Sequence, residues 1–336
     1  MKRAGNLFHK VTQYENLLLA HKKALRGSGK NEEACRFTYY LEHELPSLQD
    51  DLVKGVYKPG RYRYFKIFDP KERTISVAPF RDRVVHHAMV NVLEPVFERV
   101  FIFDSYANRK NKGTHRAVKR AQSFMKNSDY YLKFDVDKYF DNIDHHNLTH
   151  LLERKIKDRR LIDLLSVIIA NNDVSQGTNI CVGLPIGNLT SQFFANVYLD
   201  VFDHYVKEEL RVKSYIRYID DCVVLHDDRE YLKSMLKQTE SFFQNQLKLK
   251  LKGSATFLNS RMNGLPFLGY RIFPSLIRIK RENIKRLKKK LAAREQQFKK
   301  GVISEERFSM SLVSLIGHTR FADSLQLRRH LFNNKG

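Results

Sequence analysis

The chain has 336 residues, of which 42% are hydrophobic and 12% aromatic, a composition that fits a folded globule and excludes an intrinsically disordered chain. Its formal net charge of +23 predicts a polyanionic partner, with nucleic acid favoured over a membrane surface and solubility alone as the plain alternative. The widely spaced cysteines, Cys35, Cys181 and Cys222, argue against a disulfide framework and a structural zinc site. No run approaches about 18 apolar residues and no apolar stretch follows the basic start, so we expect a cytoplasmic protein without a membrane span or signal peptide.

The N-terminal third of the sequence predicts helices around one basic hairpin. Residues 11–57 have mostly helical apolar spacing. Residues 61–80 alternate with a period near two and predict a β-hairpin whose turn falls at Asp69–Pro70. Residues 81–100 return to helical spacing.

The rest of the sequence alternates strands and helices. The predicted elements are, in order, a β-rich run and a helix capped by Asp144 at 130–148, an amphipathic helix at 191–210, a hairpin at 215–228, a helix at 229–247, short strands around "LKLKLKG" and "PFLGYRI", and a basic helical tail from 280. In the tail, Ile284, Leu287 and Leu291 mark one apolar face among Lys and Arg. This alternation predicts an α+β fold.

The stretch "YIRYIDDCVVLHDD" places Asp220 and Asp221 next to each other inside an apolar, β-forming run. Adjacent buried carboxylates are costly unless a cation neutralises them, although paired acids at a turn more often form a solvated bend. A third carboxylate, Asp135, follows the apolar strand of "KFDVDKYF", and strands of one sheet can bring the three together. Oxygen ligands suit Mg²⁺, and two such ions can clamp the attacking and leaving oxygens of a phosphoryl displacement. In a chain this basic, the set points to nucleotidyl transfer on a nucleic acid.

Several segments, taken in order, resemble the motifs of reverse transcriptases. "YIDD" looks like their Y-x-D-D box, and "FDVDKYFDNIDH" looks like their first catalytic motif. "KERTISVAPFRDRVVHHA" resembles the fingers motif of bacterial enzymes, "DSYANRKNKGTHRAV" their S-x-x-x-R-x-x-x-x-x-H-x-A segment, "GLPIGNLTSQFFANVYLD" the nucleotide-binding loop and helix, and "FLGYRI" the primer grip. The resemblance covers residues 30–330.

The resemblance implies an α+β right-hand polymerase with fingers, palm and thumb. The fingers, with an N-terminal helical extension, would be residues 1–125 and the basic helical thumb residues 276–336. The palm, with its antiparallel sheet, would be residues 126–275, including a finger-like segment at about 150–182. A duplex of template RNA and new DNA would be held mainly through its phosphates.

A finer resemblance concerns "PIGNLTSQ", which is similar to the reverse transcriptases of diversity-generating retroelements in bacteria and phages. Ile186 stands where most bacterial relatives, including group II intron enzymes, have Gln, and Gln192 follows Ser191 where Pro is usual. The C-terminal "SLIGHTRFADSLQL" resembles the end of the same group. The resemblance implies error-prone copying of a template RNA, with errors concentrated at adenines, into cDNA that replaces a variable repeat in a target gene. It also implies a small basic pentameric accessory protein as a partner.

The resemblance assigns roles to individual residues. The implied catalytic metal ligands are Asp135, Asp220, Asp221 and the backbone carbonyl of Val136, holding two Mg²⁺ ions for which Mn²⁺ would substitute. The implied dNTP-binding residues are Lys66, Arg73, Phe140, Leu184, Ile186, Gly187 and Gln192, with Phe140 packed against the sugar to disfavour a 2′-hydroxyl. The residues expected to contact nucleic acid are Tyr218, Gly269, Lys285, Arg286, Lys288 and Lys289, although such a basic run can also be a merely solvated face.

Two alternatives stay open. One is a retron- or group II intron-type reverse transcriptase, against which "PIGNLTSQ" argues. The other, from a different class, is a non-catalytic RNA-binding protein on a polymerase scaffold. The intact set of Asp135, Asp220 and Asp221 argues against the second alternative, because binding alone would tolerate their loss.

Overall fold

The computed structural model describes residues 3–28, 31–68, 71–171 and 181–332. The helices are α1 Leu7–Thr12, α2 Tyr14–Ala24, α3 Glu32–Tyr39, α4 Leu41–Lys54, α5 Phe80–Phe97, α6 Thr114–Lys126, α7 His145–Glu153, α8 Arg159–Ala170, α9 Leu189–His204, α10 Arg229–Gln246, α11 Arg281–Lys299, α12 Glu305–Arg320 and α13 Leu325–Phe332. The strands are β1 Arg63–Ile67, β2 Arg73–Val77, β3 Tyr130–Phe134, β4 Tyr215–Tyr218, β5 Asp221–His226, β6 Phe257–Ser260, β7 Leu265–Phe267, β8 Tyr270–Ile272 and β9 Ile277–Ile279.

Most of the predicted elements are confirmed. Helices α1 to α4 occupy the N-terminal helical region, and β1 pairs antiparallel with β2 from Arg63↔Val77 to Ile67↔Arg73. The turn predicted at Asp69–Pro70 lies outside the described residues. Asp144 caps α7 by accepting a hydrogen bond from the backbone of Asn147 at 2.8 Å, as its sequence position predicts.

Two predicted elements are wrong. Helix α9 is not amphipathic, because its buried residues lie on nearly every face and include the polar Asn196 and Asp203. The short strand expected around "LKLKLKG" is not present in the described part of the chain. That stretch makes only an isolated bridge between Leu251 and Val136, and the φ of 54° at Lys248 interrupts its extended backbone.

The chain divides into two compact units, each assembled from separated segments of sequence. Unit 1 comprises Met1–Arg109, Val136–Arg211 and Gln238–Lys252, and unit 2 comprises Lys110–Asp135, Val212–Lys237 and Gly253–Gly336. The division into fingers, palm and thumb stays a prediction. None of the helices in the described residues is long and apolar enough to cross a membrane.

In unit 1, the core forms around α5 and α9. Helix α5 packs against α2 and α9, and α9 also contacts α7. The buried amide of Asn196 donates to the carbonyl of Ala107 at 2.8 Å, which satisfies a polar group inside this core. A π-helical turn, Tyr205–Glu209, continues α9, and the Tyr205 ring stacks on Phe242 with centroids 4.4 Å apart.

In unit 2, antiparallel strands carry the acidic segments. Within the described residues, β4, β5, β3 and β6 form one sheet in that order, and β7, β8 and β9 form another. The register of β3 is fixed by Phe134↔Cys222 on β5 and by Tyr130↔Ser260 on β6. Strand β3 is therefore a central strand, consistent with the buried side chains along it.

Helix α6 contacts both the β4–β5 hairpin and the C-terminal helices of unit 2. The hydroxyl of Thr114 donates to the hydroxyl of Tyr218 at 3.2 Å. The neighbouring His115 ring stacks on Phe321, with centroids 3.9 Å apart and planes 7° from parallel. Tyr270 meets Phe321 edge-on at 5.3 Å, so an aromatic cluster joins α6, β8 and the end of α12.

The stability of unit 1 is expected to depend on pH through His204. A hydrogen bond to Asp200, and then one to Glu208, raise the pKa of His204 to about 9. Because the folded pKa is raised, this stabilisation is complete below the unfolded pKa of about 6.5 and is lost as the pH rises through about 9. We expect His204→Gln to cost about 1 kcal/mol near pH 6 and nothing above about pH 9.5, measured by urea unfolding.

The same substitution at the exposed His43 is the control, and it should cost nothing at either pH. A cost for His204→Gln that did not change between the two pH values would contradict the ionic origin of the effect.

Candidate active site

The "YIDD" segment, residues 218–221, lies at the tip of the β4–β5 hairpin. Tyr218 pairs with Asp221, so Ile219 and Asp220 form a two-residue turn. Ile219 has a φ of 55°, a left-handed conformation that a β-branched residue rarely adopts. Such strain persists only where the surroundings hold it in place, and it is typical of functional turns.

Arg217 holds this turn from inside unit 2. Its side chain is fully buried, and its Nη1 donates to the carbonyl of Ile219 at 3.0 Å. A buried guanidinium needs acceptors, and the carbonyl of a strained turn is one of them. Arg217 was not predicted as a functional residue, although a charged residue inside the apolar "YIRYID" was a visible signal.

Asp135 and Asp220 come together at one end of the sheet. Asp135 directly follows β3, whose last residue pairs with Cys222 beside the acidic turn. The carboxyl groups of Asp135 and Asp220 lie close enough to interact electrostatically. Burial, and after it the charge of Asp135, raises the pKa of Asp220. Both residues are half-buried, and a divalent cation relieves the repulsion between two such neighbouring carboxylates.

Asp221 has a different partner. The ammonium of Lys133, on β3, forms an ion pair with Asp221 Oδ1, and the two side chains are only 10% and 23% exposed. Burial raises the pKa of Asp221, whereas Lys133 and then Lys280 act to lower it. Neither lysine was predicted as a functional residue, although Lys133 lies inside the apolar "YYLKFD".

Two of the three predicted carboxylate ligands, Asp135 and Asp220, fit a metal site together, whereas Asp135, Asp220 and Asp221 are not arranged as a site of three ligands. Across residues 3–28, 31–68, 71–171 and 181–332, no three His, Cys, Asp or Glu side chains are arranged to hold one metal ion. The oxygen-only pair of Asp135 and Asp220 nevertheless has the donor chemistry that Mg²⁺ prefers. Val136 lies in unit 1, bridged to Leu251, and the metal role of its carbonyl stays a prediction.

In unit 1, backbone hydrogen bonds join the segments predicted to bind the dNTP. Leu184 donates its backbone N–H to the carbonyl of Phe140 at 2.7 Å. Ser76 on β2 donates to the carbonyl of Ile186 at 2.7 Å, which ties the "PIG" loop to the basic hairpin. Phe140 is half-buried in a 3₁₀ turn and meets Tyr139 edge-on at 5.6 Å. The structure thus brings together Phe140, Leu184 and Ile186.

Three other residues predicted to bind the dNTP, Arg73, Lys66 and Gln192, have no described contact with Phe140, Leu184 or Ile186. Arg73 begins β2 and is exposed. Lys66 on β1 is exposed and forms an ion pair with Glu72 at 2.7 Å, so it is engaged at the hairpin surface. Gln192 is half-buried in the first turns of α9 and lines a small cavity with Asn91 of α5.

The residues predicted to contact nucleic acid lie in unit 2. Lys285, Arg286, Lys288 and Lys289 are all exposed on α11, opposite the buried Leu287 and Leu291. Gly269 lies in the β7–β8 turn with a φ of 88°, and its carbonyl accepts the Asn283 amide at 3.0 Å. Tyr218 is half-buried beside the acidic turn. Direct contact of any of these residues with nucleic acid stays a prediction.

Gly187 is the position in the "PIG" loop where a side chain is expected to be least tolerated. Its φ is 115°, and a Cβ atom there would lie 2.8 Å from Ile75 and 3.0 Å from the carbonyl of Ser76. We expect Gly187→Ala to cost about 2 kcal/mol by strain and by loss of the loop's contact with β2. Equilibrium unfolding in urea measures this loss.

Gly55→Ala is the matched control in unit 1. Gly55 also has a positive φ, of 72°, but a Cβ there would meet nothing within 4 Å. Its cost therefore reports backbone strain alone. Equal costs at the two glycines would show that the close approach of Gly187 to β2 is unimportant.

The antiparallel sheet with its acidic hairpin and the surrounding helices have the fold of a reverse transcriptase. The model of the family "Reverse transcriptase (RNA-dependent DNA polymerase)" matches residues 58–272, and the chain belongs to this family. Telomerase from Candida albicans, solved in complex with the TWJ fragment of telomeric RNA, is similar in fold, with a TM-score of 0.50 and 11% sequence identity. That likeness covers 70% of this chain and 49% of the telomerase chain.

Curated relatives are similar in sequence over much of the chain. Protein YkfC of Escherichia coli (strain K12) is 26% identical over 294 residues, which are 75% of this chain and 76% of YkfC. The group II intron-encoded protein LtrA of Lactococcus lactis subsp. cremoris is 26% identical over 209 residues. These residues are 60% of this chain but only 35% of LtrA, so the chain spans about a third of that relative.

Proposed function

We propose that the chain is an RNA-directed DNA polymerase that works by two-metal nucleotidyl transfer. The proximity of Asp135 to Asp220, which lies in a strained hairpin turn, carries the proposal, because these half-buried residues form an acidic pair in a chain of the reverse transcriptase family. The substrates are dNTPs, a template RNA and the RNA–DNA hybrid that forms on it. The net charge of +23 favours binding to these polyanions.

The carboxylates and the turn have separate tasks in this mechanism. Asp135, Asp220 and Asp221 would hold two Mg²⁺ ions, or Mn²⁺ in their place, which lower the barrier for attack by the primer 3′-oxygen and for departure of pyrophosphate. Arg217 fixes the carbonyl of Ile219 and thereby the direction of Asp220. Fixed carboxylates matter because small displacements of reacting groups cost large factors in rate.

The residues of unit 1 would bind the incoming nucleotide. Phe140 packs against the sugar, and Arg73 forms charge-assisted hydrogen bonds with the triphosphate. The backbone bond between Ile186 and Ser76 supports this assignment, because it links the "PIG" loop to the strand that carries Arg73. The exposed lysines and arginine of α11 would contact phosphates of the duplex.

We further propose that the polymerase belongs to a diversity-generating retroelement of a bacterium or phage. Ile186 and Gln192, at positions where group II intron enzymes carry Gln and Pro, support this assignment. An apolar side chain in place of Gln removes a hydrogen-bonding group beside the nascent base pair, which would lower fidelity, most of all opposite adenine. A small basic pentameric accessory protein would be the partner, and the cytoplasm the location.

A second candidate is a group II intron-type reverse transcriptase, which the similarity to LtrA favours. The two candidates predict different error spectra and different surroundings of the gene. A near-duplicate repeat pair beside the gene, differing mainly at adenines, would identify the retroelement. An intron around the gene would identify the second candidate.

Primer extension on an RNA template tests the proposal, with dNTPs and Mg²⁺ and sequencing of the products. We expect DNA synthesis, with misincorporation concentrated opposite template adenines and reduced in the Ile186→Gln variant. Ordinary accuracy opposite every base would overturn the retroelement assignment but leave the polymerase in place. RNA binding without any dNTP incorporation would favour the non-catalytic alternative.

A further inference from the structure

Lys133 is a charged residue in a place where charges are rare. It lies in the central strand β3, between the buried Leu132 and Phe134, and is itself only 8% exposed. A buried ammonium is costly unless a carboxylate compensates its charge. Asp221 provides that compensation through Oδ1. The pair is thus a structural unit of the sheet as well as a neighbour of the acidic turn.

This ion pair makes Asp221 a poor ligand for a cation in the free chain. A divalent ion on the same carboxylate would lie close to the Lys133 ammonium, and like charges at such distances repel strongly in a low dielectric. Lys280 adds to the effect, because its charge interacts with both Lys133 and Asp221. Burial, followed by the charge of Lys133, lowers the pKa of Lys280, which reflects the same crowding of positive charge.

Asp135 and Asp220 are in the opposite situation. They lie close enough to interact electrostatically, and neither has an ion pair with Lys or Arg among the described residues. The acidic cluster therefore consists of one pair that lacks a cation and one carboxylate that already has one.

We propose that Lys133 is a positioning residue that keeps Asp221 out of the metal site in the free chain, so that Asp135 and Asp220 alone bind one divalent ion. This inference rests on the proposed function, since it concerns the same acidic site. It assigns the second ion to a later state, in which nucleotide phosphates add oxygen ligands and draw Asp221 away from Lys133.

Binding of Mn²⁺ to the full chain, without nucleotide or nucleic acid, tests the inference. Electron paramagnetic resonance measures free Mn²⁺ directly and gives bound Mn²⁺ by difference, so the readout does not depend on activity. We expect the native chain to bind one ion, and Asp220→Asn to weaken it by about tenfold or more. Lys133→Met should bind a second ion, because it leaves Asp221 without its ammonium, whereas Lys133→Arg should bind one.

The double variant Lys133→Met/Asp221→Asn is the matched control. It removes the ion pair without changing the net charge, and it should bind one ion with the affinity of the native chain. A large loss of affinity in this variant would overturn the inference, because it would make Asp221 a ligand in the free chain. Two bound ions in the native chain, or one in Lys133→Met, would overturn it as well.

The Mn²⁺-binding experiment and the primer-extension experiment can fail independently of each other. A chain that shows the expected Mn²⁺ pattern but never extends a primer would contradict the polymerase proposal and leave the role of Lys133 intact. Circular dichroism and thermal unfolding identify any variant that fails to fold. If Lys133→Met fails to fold, the charge-neutral double variant decides the question on its own.

Discussion

Asp220→Asn is expected to abolish primer extension, with kcat/KM reduced by about 10³-fold or more. Asn retains the size of the side chain, so the two-residue turn and the contact of Arg217 with Ile219 should persist. What is lost is the negative charge that would hold a divalent ion, and metal stabilisation of the transition state is worth several kcal/mol, or about three powers of ten in rate. Single-turnover extension with excess enzyme measures the effect on chemistry.

Asp227→Asn is the control for this experiment. Asp227 is an exposed residue of the same unit that follows β5 and accepts a hydrogen bond from the backbone of Asp129 at 3.1 Å. The change in net charge is identical, but the acidic turn is untouched, so extension should proceed at nearly the native rate. An active Asp220→Asn enzyme would exclude Asp220 from catalysis.

Phe140→Ala is expected to admit ribonucleotides, lowering the preference for dNTP over rNTP by roughly 10–200-fold. The ring is half-buried and fixed edge-on against Tyr139, so it presents a defined surface that a 2′-hydroxyl would meet. Alanine removes this surface, while the backbone bond from Leu184 to the carbonyl at position 140 can persist. The ratio of kcat/KM for a dNTP and the matching rNTP is the measurement.

Phe140→Tyr should retain the native preference, because it keeps the ring and its bulk. Phe103→Ala, at a position in the same unit that is 68% exposed, should also leave the preference unchanged. A Phe140→Ala enzyme with native discrimination would show that the sugar is selected elsewhere in the chain.

Periodicity in the sequence predicted the elements that position the site. The apolar, β-forming residues on both sides of Asp220 and Asp221 predicted the β4–β5 hairpin. The apolar run that ends at Asp135 predicted β3, which pairs with β5. These are local patterns, and their strands pair antiparallel as such patterns favour. The order of motifs along the chain, which resembles that of reverse transcriptases, added the prediction of a polymerase fold to that of an α+β class.

The contacts that the sequence could not predict are those that depend on which side chains meet. Lys133 and Asp221 form an ion pair because β3 lies beside β5. The sequence of neither strand shows that the two strands are neighbours. The burial of α9 on nearly all faces was not predicted, because the sequence does not show that a polar residue such as Asn196 lies inside the core with its amide bonded to the carbonyl of Ala107. Tertiary context decides such cases.

The interleaved segments of the two units have a consequence for synthesis of the protein. Unit 1 needs residues up to Lys252, and the sheet that carries the acidic turn needs β6, where Ser260 pairs with Tyr130. A ribosome must therefore have made most of the chain before either unit can be completed. Until then the nascent protein carries β3 with an open, apolar edge, which is the kind of surface that aggregates. Yield in a heterologous host should therefore respond to chaperone capacity and to a slower rate of translation.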